Sequence, residues 1–591
     1  MTTARQLPVK LHQALSPSET YAIEIVDQTL SDLVPQPEQL EVWFQEGCEH
    51  FQEATVQAYD RAATLWRRAA EHGHLESQFN LADCYSEGEG VAQNLALAVH
   101  WWKRAAEHKD ADAQNALGQC YWTGKGVEQS LSAARDWWEL AAKQGHPEAQ
   151  YRLGLCYLES RPSDENVDLA LGLWKASAES GNRDAQYRLA MCLIQGDKVS
   201  KNEEVAMKWL VKAQEQGQVD AMVQMGKFYL RGQFVEESVS TAVDLWQQAV
   251  LVGHAEAHFL VGLCYLRGDG LQVDLIKAER HLSEAAMMGN LEAGHVLGLE
   301  RWSGGRLPED LESAVSYWTR VAATGHAGAQ YRLGVCYFTG QGCETDIPYA
   351  IELWAKAADQ DDQEAQLAIA SAYAMGEGVS RDFEKSFFWC RSSAELGNSQ
   401  AMMKLGVHYY CGLGVPENKR AAVRVWEKAA DEGDLDAQCA LAGCYRKGEG
   451  VKQDLTRAVQ MWTEAAHTGH VASRNALAGC YVSGSGVERD EGMAVRLWQE
   501  SAGCGDSEGQ YNLAACYFFG DGVVQDRYEA ARLWQLAADQ RHPNALHWLG
   551  ICYLQGQGVR KDLSLGKSLL QAAADRGVNA ARDLINKTGV D

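Results

Sequence analysis

The amino-acid sequence predicts an all-α solenoid built of antiparallel helix hairpins, and three observations carry that prediction. The 591-residue chain repeats against itself without gaps at a period of 36, through fourteen units from Ser77 to Ala580. Each unit holds two segments whose small and apolar residues fall at helical spacing, such as AQYRLGVCY and YAIELWAKAA in the unit that starts at Ala329. A glycine-bearing turn separates the two segments, and a second glycine usually separates one unit from the next.

The first segment carries Leu, then Gly or Ala, then Tyr at a four-residue stride, as in Leu117, Gly118 and Tyr121 or Leu549, Gly550 and Tyr553. That stride makes one buried face. The segment ends in a GxGV turn, for example Gly88, Gly90 and Val91, where glycine accepts the positive φ of a helix C-terminus. Four residues after the second glycine stands Asp, Asn or Ser, from Asn94 and Ser130 through Asp454 to Asp562, and the spacing predicts an N-cap there in all fourteen units. The second segment presents Ala134, Trp138, Ala141 and Ala142 on one face, so that small residues admit a neighbour and the indole fills the gap. A hairpin this small cannot bury its own apolar face. Stacked neighbours must cover it, which makes a superhelix with a long groove the expected product.

Residues 39–76 read as a degenerate capping repeat: Trp66 is in register, while the first helix has lost its Gly and Tyr. Residues 1–38 read as an extension with one short helix, opened by the capping box of Ser16, Pro17 and Glu19 and ended near Val34 by Pro35 and Pro37. Residues 581–591 form a tail.

A formal net charge of −26 opposes the counterion release that phosphate-backbone binding needs, so no nucleic-acid partner is expected. No apolar run approaches the roughly 18 residues that span a bilayer, and the N-terminus lacks the apolar core of an export signal. These features predict a cytoplasmic protein with no membrane insertion.

The motifs LGxCY, GxGVxxD and ALxxWxxAAxxGH resemble the Sel1-like repeat family, relatives of the tetratricopeptide fold, over about 505 residues. The resemblance implies a right-handed superhelix that serves as an adaptor or scaffold. It names no partner.

Several residues carry possible chemistry. Ten of the sixteen cysteines, from Cys84 and Cys120 to Cys516 and Cys552, share one repeat position beside the core Tyr. They lie one unit apart, roughly 10 Å by helix packing, which is too far for disulfides or zinc and reads as core. Some secreted members of the resembling family pair one cysteine in each helix of a repeat; here the second helices almost never carry one, Cys390 excepted, which supports a reducing compartment. His74, His146, His254, His326, His470 and His542 recur between units and read as loop formers. His254 and His258 have the spacing of a helical metal pair, but no third ligand stands near them in sequence, so neither metal nor cofactor is expected. Ser564 with Lys567 (SxxK) and Lys587 to Gly589 (KTG) lack the SDN motif and the strand that β-lactamase-like chemistry requires. The GxGV glycines join helices and so are turns, not phosphate cradles.

Binding is expected on the first helices, which usually line the concave face of such solenoids. There Tyr151 and Arg152, Tyr187 and Arg188, and Tyr331 and Arg332 form a polar-aromatic set suited to peptide backbone and carboxylates. Nearby units break the turn pattern: ESRPSDEN replaces GxGV in the third, and Lys198, Phe234 and Arg306 replace the second glycine in the fourth, fifth and seventh. The sequence therefore predicts a non-catalytic adaptor that holds protein or peptide partners along a groove. Two other readings remain at this point, a secreted effector or envelope protein that binds host or cell-wall components, and a hydrolase.

Overall fold

The computed structural model describes residues 35–160, 164–196 and 200–587. Among them are thirty-one helices and no strand. Where the gapless period reads as one array, the helices group into two compact bodies that divide between Asn290 and Leu291. The extension helix expected to end near Val34 lies outside the described residues, as do Lys198, residues 161–163 of the irregular third turn, and the threonine and glycine of KTG.

The hairpin of Ala111–Thr123 and Leu131–Lys143 shows why the repeat folds as it does. Gly124 ends the first helix at φ 74° and donates its N–H to Cys120 O at 2.8 Å. Gly126 follows at φ 75°, and a Cβ there would stand 2.5 Å from Leu95 O, the backbone of the preceding unit. Only glycine permits that approach. Ser130 then caps the second helix, accepting from Ala133 N at 3.3 Å, while its own N–H closes the turn on Tyr121 O at 2.9 Å. Asn94, Asp454 and Asp562 cap their helices in the same way. In the third unit the helix starts earlier, at Asp164, so Asn166 lies inside it and is not the expected N-cap. The loss of the GxGV turn removes the break that places a cap at that position.

The two helices lock through the indole. Trp138 is 2% exposed, its Nε1 donates to Asn115 O at 3.2 Å, and a Cβ on Gly118 would fall 2.4 Å from that nitrogen. Trp174, Trp246, Trp318, Trp354 and Trp426 make the same bond to the residue 23 positions earlier. Burying such a ring is worth a few kcal/mol, and the hydrogen bond fixes its register on the facing helix.

The leading hairpin corrects the sequence reading. Its first helix, Pro37–Gln52, has not lost its glycine: Gly47 packs under Trp66, and Trp66 Nε1 reaches Phe44 O, 22 residues back instead of 23. One residue fewer separates glycine from indole, so a gapless register cannot see the match. Phe234, in place of the second glycine, holds φ 64° and packs edge-on against Phe228 at 5.1 Å, trading backbone ease for core contact. None of the sixteen cysteines, all of which lie among the described residues, is in a disulfide. Those of the repeat position are buried except for the half-buried Cys192, and burial pushes Cys84 and Cys336 up to about 12, far from a reactive thiolate.

Candidate functional site

The histidines between units are more than loop formers. His146, His254, His326 and His542 are N-caps: Nδ1 accepts the N–H three residues on, at 3.1 to 3.3 Å, and Nε2 reaches an acid 34 residues earlier. The acids are Asp112, Asp220, Glu292 and Glu508, at 3.0 to 3.2 Å. The two ring nitrogens thus satisfy the imidazole's own helix and tie it to the unit before. His470 keeps the link to Asp436 at 3.1 Å but turns Nδ1 to Ser473 Oγ.

The histidine bonds hold the Asp220 and Glu508 carboxyls below the ordinary range. A folded group that titrates below its unfolded counterpart stabilises fully above about pH 4.5, and that contribution is lost as pH falls through the folded value. Glu508→Gln is therefore expected to flatten the acid limb of stability between about pH 3 and 5. Both acids are exposed, so solvent screening keeps the change below about 1 kcal/mol. Urea titrations across that range measure it, and an unaltered acid limb refutes the link.

A groove lies over the first helices at the start of the array. Phe51, Asp83, Trp102, Asn115, Gln119 and Arg152 are among the residues lining a cavity of about 560 Å³, and Phe51 and Asp83 also border a neighbouring cavity of about 260 Å³ beside Trp66. Asp83 stands where other units carry Leu155, Met191, Leu263 or Leu299. It accepts from Trp102 Nε1 at 3.2 Å, so this indole bonds a carboxylate where Trp138, Trp174 and Trp246 bond a main-chain carbonyl. Burial, only partly offset by that bond, raises the Asp83 carboxyl to about 6, and the nearby Glu87, Asp112 and Glu89 add to the rise. Asn115 Oδ1 and Gln119 Oε1 are buried without a hydrogen-bond partner among the described residues. Buried amide oxygens left unpaired cost free energy that a bound donor would recover.

Of the six residues singled out by sequence, Arg152 alone lines this groove, where its Nε pairs with Glu148 at 2.7 Å. Tyr151 and Tyr187 are half-buried and belong to neighbouring core clusters. Burial raises both phenols, and Arg188 acts electrostatically on both, which places the three groups along adjacent first helices. Arg188 also stacks over Trp174 at 5.6 Å. Tyr331 and Arg332 lie in the other body, with the guanidinium 5.3 Å over the Tyr331 ring. Sequence reasoning missed Asp83, the lone acid at a repeat position that elsewhere carries Gln119, Lys227, Ser371 and otherwise apolar or small residues.

His254 and His258 do not pair. His254 caps its helix, whereas His258 faces His281 Nδ1 at 3.1 Å and Glu284 Oε2 at 3.0 Å. The nearby groups absent from the local sequence lie on the partner helix of the same hairpin, 23 and 26 residues on. A nucleophile-like set appears at Ser386, whose Oγ donates to His408 Nε2 at 3.1 Å while His408 Nδ1 meets Leu413 O at 2.7 Å. Ser386 is 1% and His408 5% exposed, so the pair serves as a core link closed to substrate. Ser564 of SxxK sits exposed in the first turn of the Leu563–Asp575 helix. No helix among the described residues is long and apolar enough to cross a membrane.

The Sel1 repeat profile matches residues 50–74, six consecutive units over 75–290 and seven over 327–578. The unmatched stretch, 291–326, still folds as a helix pair around a buried Trp318; its turn reads SGGRLPED, without the second glycine. Among solved structures, the chain is similar to a protective antigen present in uropathogenic Escherichia coli strains that displays an SLR fold. That match has a TM-score of 0.58 and 25% identity, over 83% of this chain and 97% of the other. A Sel1 repeat protein from Oxalobacter formigenes matches at 27% identity over 52% of this chain and 90% of its own, with a TM-score of 0.42. No curated protein gives a significant sequence match.

Proposed function

Because the chain belongs to the Sel1 repeat family, whose solenoid fold is commonly used for protein–protein interaction, we propose that it is a non-catalytic scaffold that holds an extended polypeptide segment across its first helices. The observation that carries this reading is the Asp83 groove, where a carboxylate kept in a half-buried site and two unpaired amide oxygens face a cavity. A cationic side chain of the partner pairs with Asp83, and its main-chain N–H groups reach Asn115 and Gln119. Beyond them, Tyr151, Arg152, Tyr187 and Arg188 continue the track with donors for carbonyl or carboxylate oxygens. Tyr331 and Arg332 are a separate contact on the second body. Sixteen cysteines without a disulfide suit a reducing, cytoplasmic setting.

The test compares what co-purifies with the wild-type chain, with Asp83→Asn and with the double charge reversal Arg152→Glu, Arg188→Glu. A stoichiometric partner retained by the wild type and lost by both variants, at unchanged helicity, supports the groove. A partner retained equally by all three removes the site from this face.

A further inference from the structure

We propose that His258, His281 and Glu284 form a binding site for a divalent transition ion, zinc first among them, that clips together the helices Ala255–Arg267 and Leu275–Met287. The inference is independent of the groove, which lies elsewhere in the same body.

Geometry is the first argument. His258 Nδ1 lies 3.1 Å from His281 Nδ1 and 3.0 Å from Glu284 Oε2, and His281 Nδ1 lies 4.0 Å from the same oxygen. Tetrahedral zinc holds nitrogen and oxygen ligands at about 2.0–2.1 Å, which sets them about 3.3–3.4 Å apart. The three separations straddle that edge length. A single proton on His258 Nδ1 cannot point at both neighbours, whereas a cation at the centre of the triangle meets all three lone pairs. Two imidazoles with one carboxylate select a borderline ion over calcium or magnesium, which take oxygen ligands.

The surroundings are built to orient these ligands. Arg280 Nε holds Glu284 Oε1 at 3.1 Å, leaving Oε2 free to turn inward. The Tyr265 ring stacks on His281 at 5.8 Å and 10°, and Lys277 covers the Tyr265 ring at 5.3 Å. Partners of this kind fix ring orientation and ligand basicity in metal sites. The His258 side chain is 8% exposed, but those of His281 and Glu284 are 18% and 29% exposed, so an ion can enter and water can complete the tetrahedron.

Three departures from the repeat coincide in this one unit. His281 replaces an apolar residue, the equivalents being Trp101, Leu173, Leu245 and Leu353. His258 replaces the glutamine found at Gln78, Gln114, Gln150 and Gln330. Leu282 replaces the tryptophan, and with it the indole donor that ties Trp246 to Val223 O and Trp318 to His295 O. The ion restores the cross-helix tie that the leucine cannot make.

The full chain, stripped with EDTA, desalted and free of any histidine tag, is titrated with zinc chloride by calorimetry and with cobalt chloride by visible absorption. One equivalent is expected to bind, with the absorption of four-coordinate cobalt and a raised unfolding temperature. His281→Leu, which installs the residue of neighbouring units, is expected to weaken binding about 100-fold or more while unfolding in EDTA no earlier than the wild type. Glu284→Gln weakens binding as well. His254→Asn, which keeps an N-cap of the type at Asn182, binds as the wild type does. Failure of the wild type to bind, or undiminished binding by His281→Leu, overturns the proposal.

Discussion

Trp246→Ala is expected to cost about 3–5 kcal/mol, the range for emptying the site of a fully buried aromatic side chain. Trp246 is 0% exposed, and its Nε1 donates to Val223 O at 3.1 Å. Its ring lies so close over Gly226 that a Cβ there would stand 2.3 Å from Nε1. The backbone of the Val219–Arg231 helix packed against the ring limits how far the site can collapse into the void. Because each hairpin leans only on its neighbours, the damage stays local, and urea unfolding followed by circular dichroism should split into an early step and a remaining one. Trp246→Leu is the milder control, since Leu210, Leu282 and Leu570 occupy the same repeat position. It keeps most of the volume and loses the donor, for about 1–2 kcal/mol. A loss below about 1 kcal/mol for the alanine variant would show that the indole does not hold the hairpin together.

Asp83→Asn is expected to act in the opposite direction, raising stability at pH 7.5 by about 1–3 kcal/mol. The folded carboxyl titrates near 6, above its unfolded value. The folded state therefore binds the proton more tightly, and stability falls as pH rises from about 4 to 6 and stays lowered above that. Asparagine removes the charge and keeps the shape and an acceptor for Trp102, so the gain should be full at pH 7.5 and vanish near pH 4. Urea titrations at the two pH values measure it. The same substitution is expected to weaken partner capture, because the charge that destabilises the groove is the charge proposed to pair with a partner's cation. A functional residue that costs stability behaves in this way. Equal stability of variant and wild type at both pH values would mean that the carboxylate is fully solvated.

Much of the fold is legible in the chain because a 36-residue period repeats each physical requirement. Gly124 and Gly126 announce a turn, Ser130 a cap and Trp138 a core ring, and each stands in the structure where its spacing placed it. The exceptions have local causes. Gly47 escaped notice because one missing residue shifts its register against Trp66, and Asn166 lost its role as a cap when the preceding turn lost its glycines. The interunit histidines announced their position but not their task, since an N-cap bond is local while the partner acid lies 34 residues away.

The candidate sites divide along the same line. Residue type and period by themselves determined that this protein is a stack of helix hairpins with buried cysteines and capped helices, because those properties depend on residues within one unit and its repeated neighbour. Only the tertiary structure decided that Asp83 shares a groove with two unpaired amides, that Arg188 stacks over Trp174, and that His258 meets His281 and Glu284 instead of His254. Each of those depends on which side chains two separate helices bring into contact. Helix packing sets those contacts; the order of residues along one helix does not.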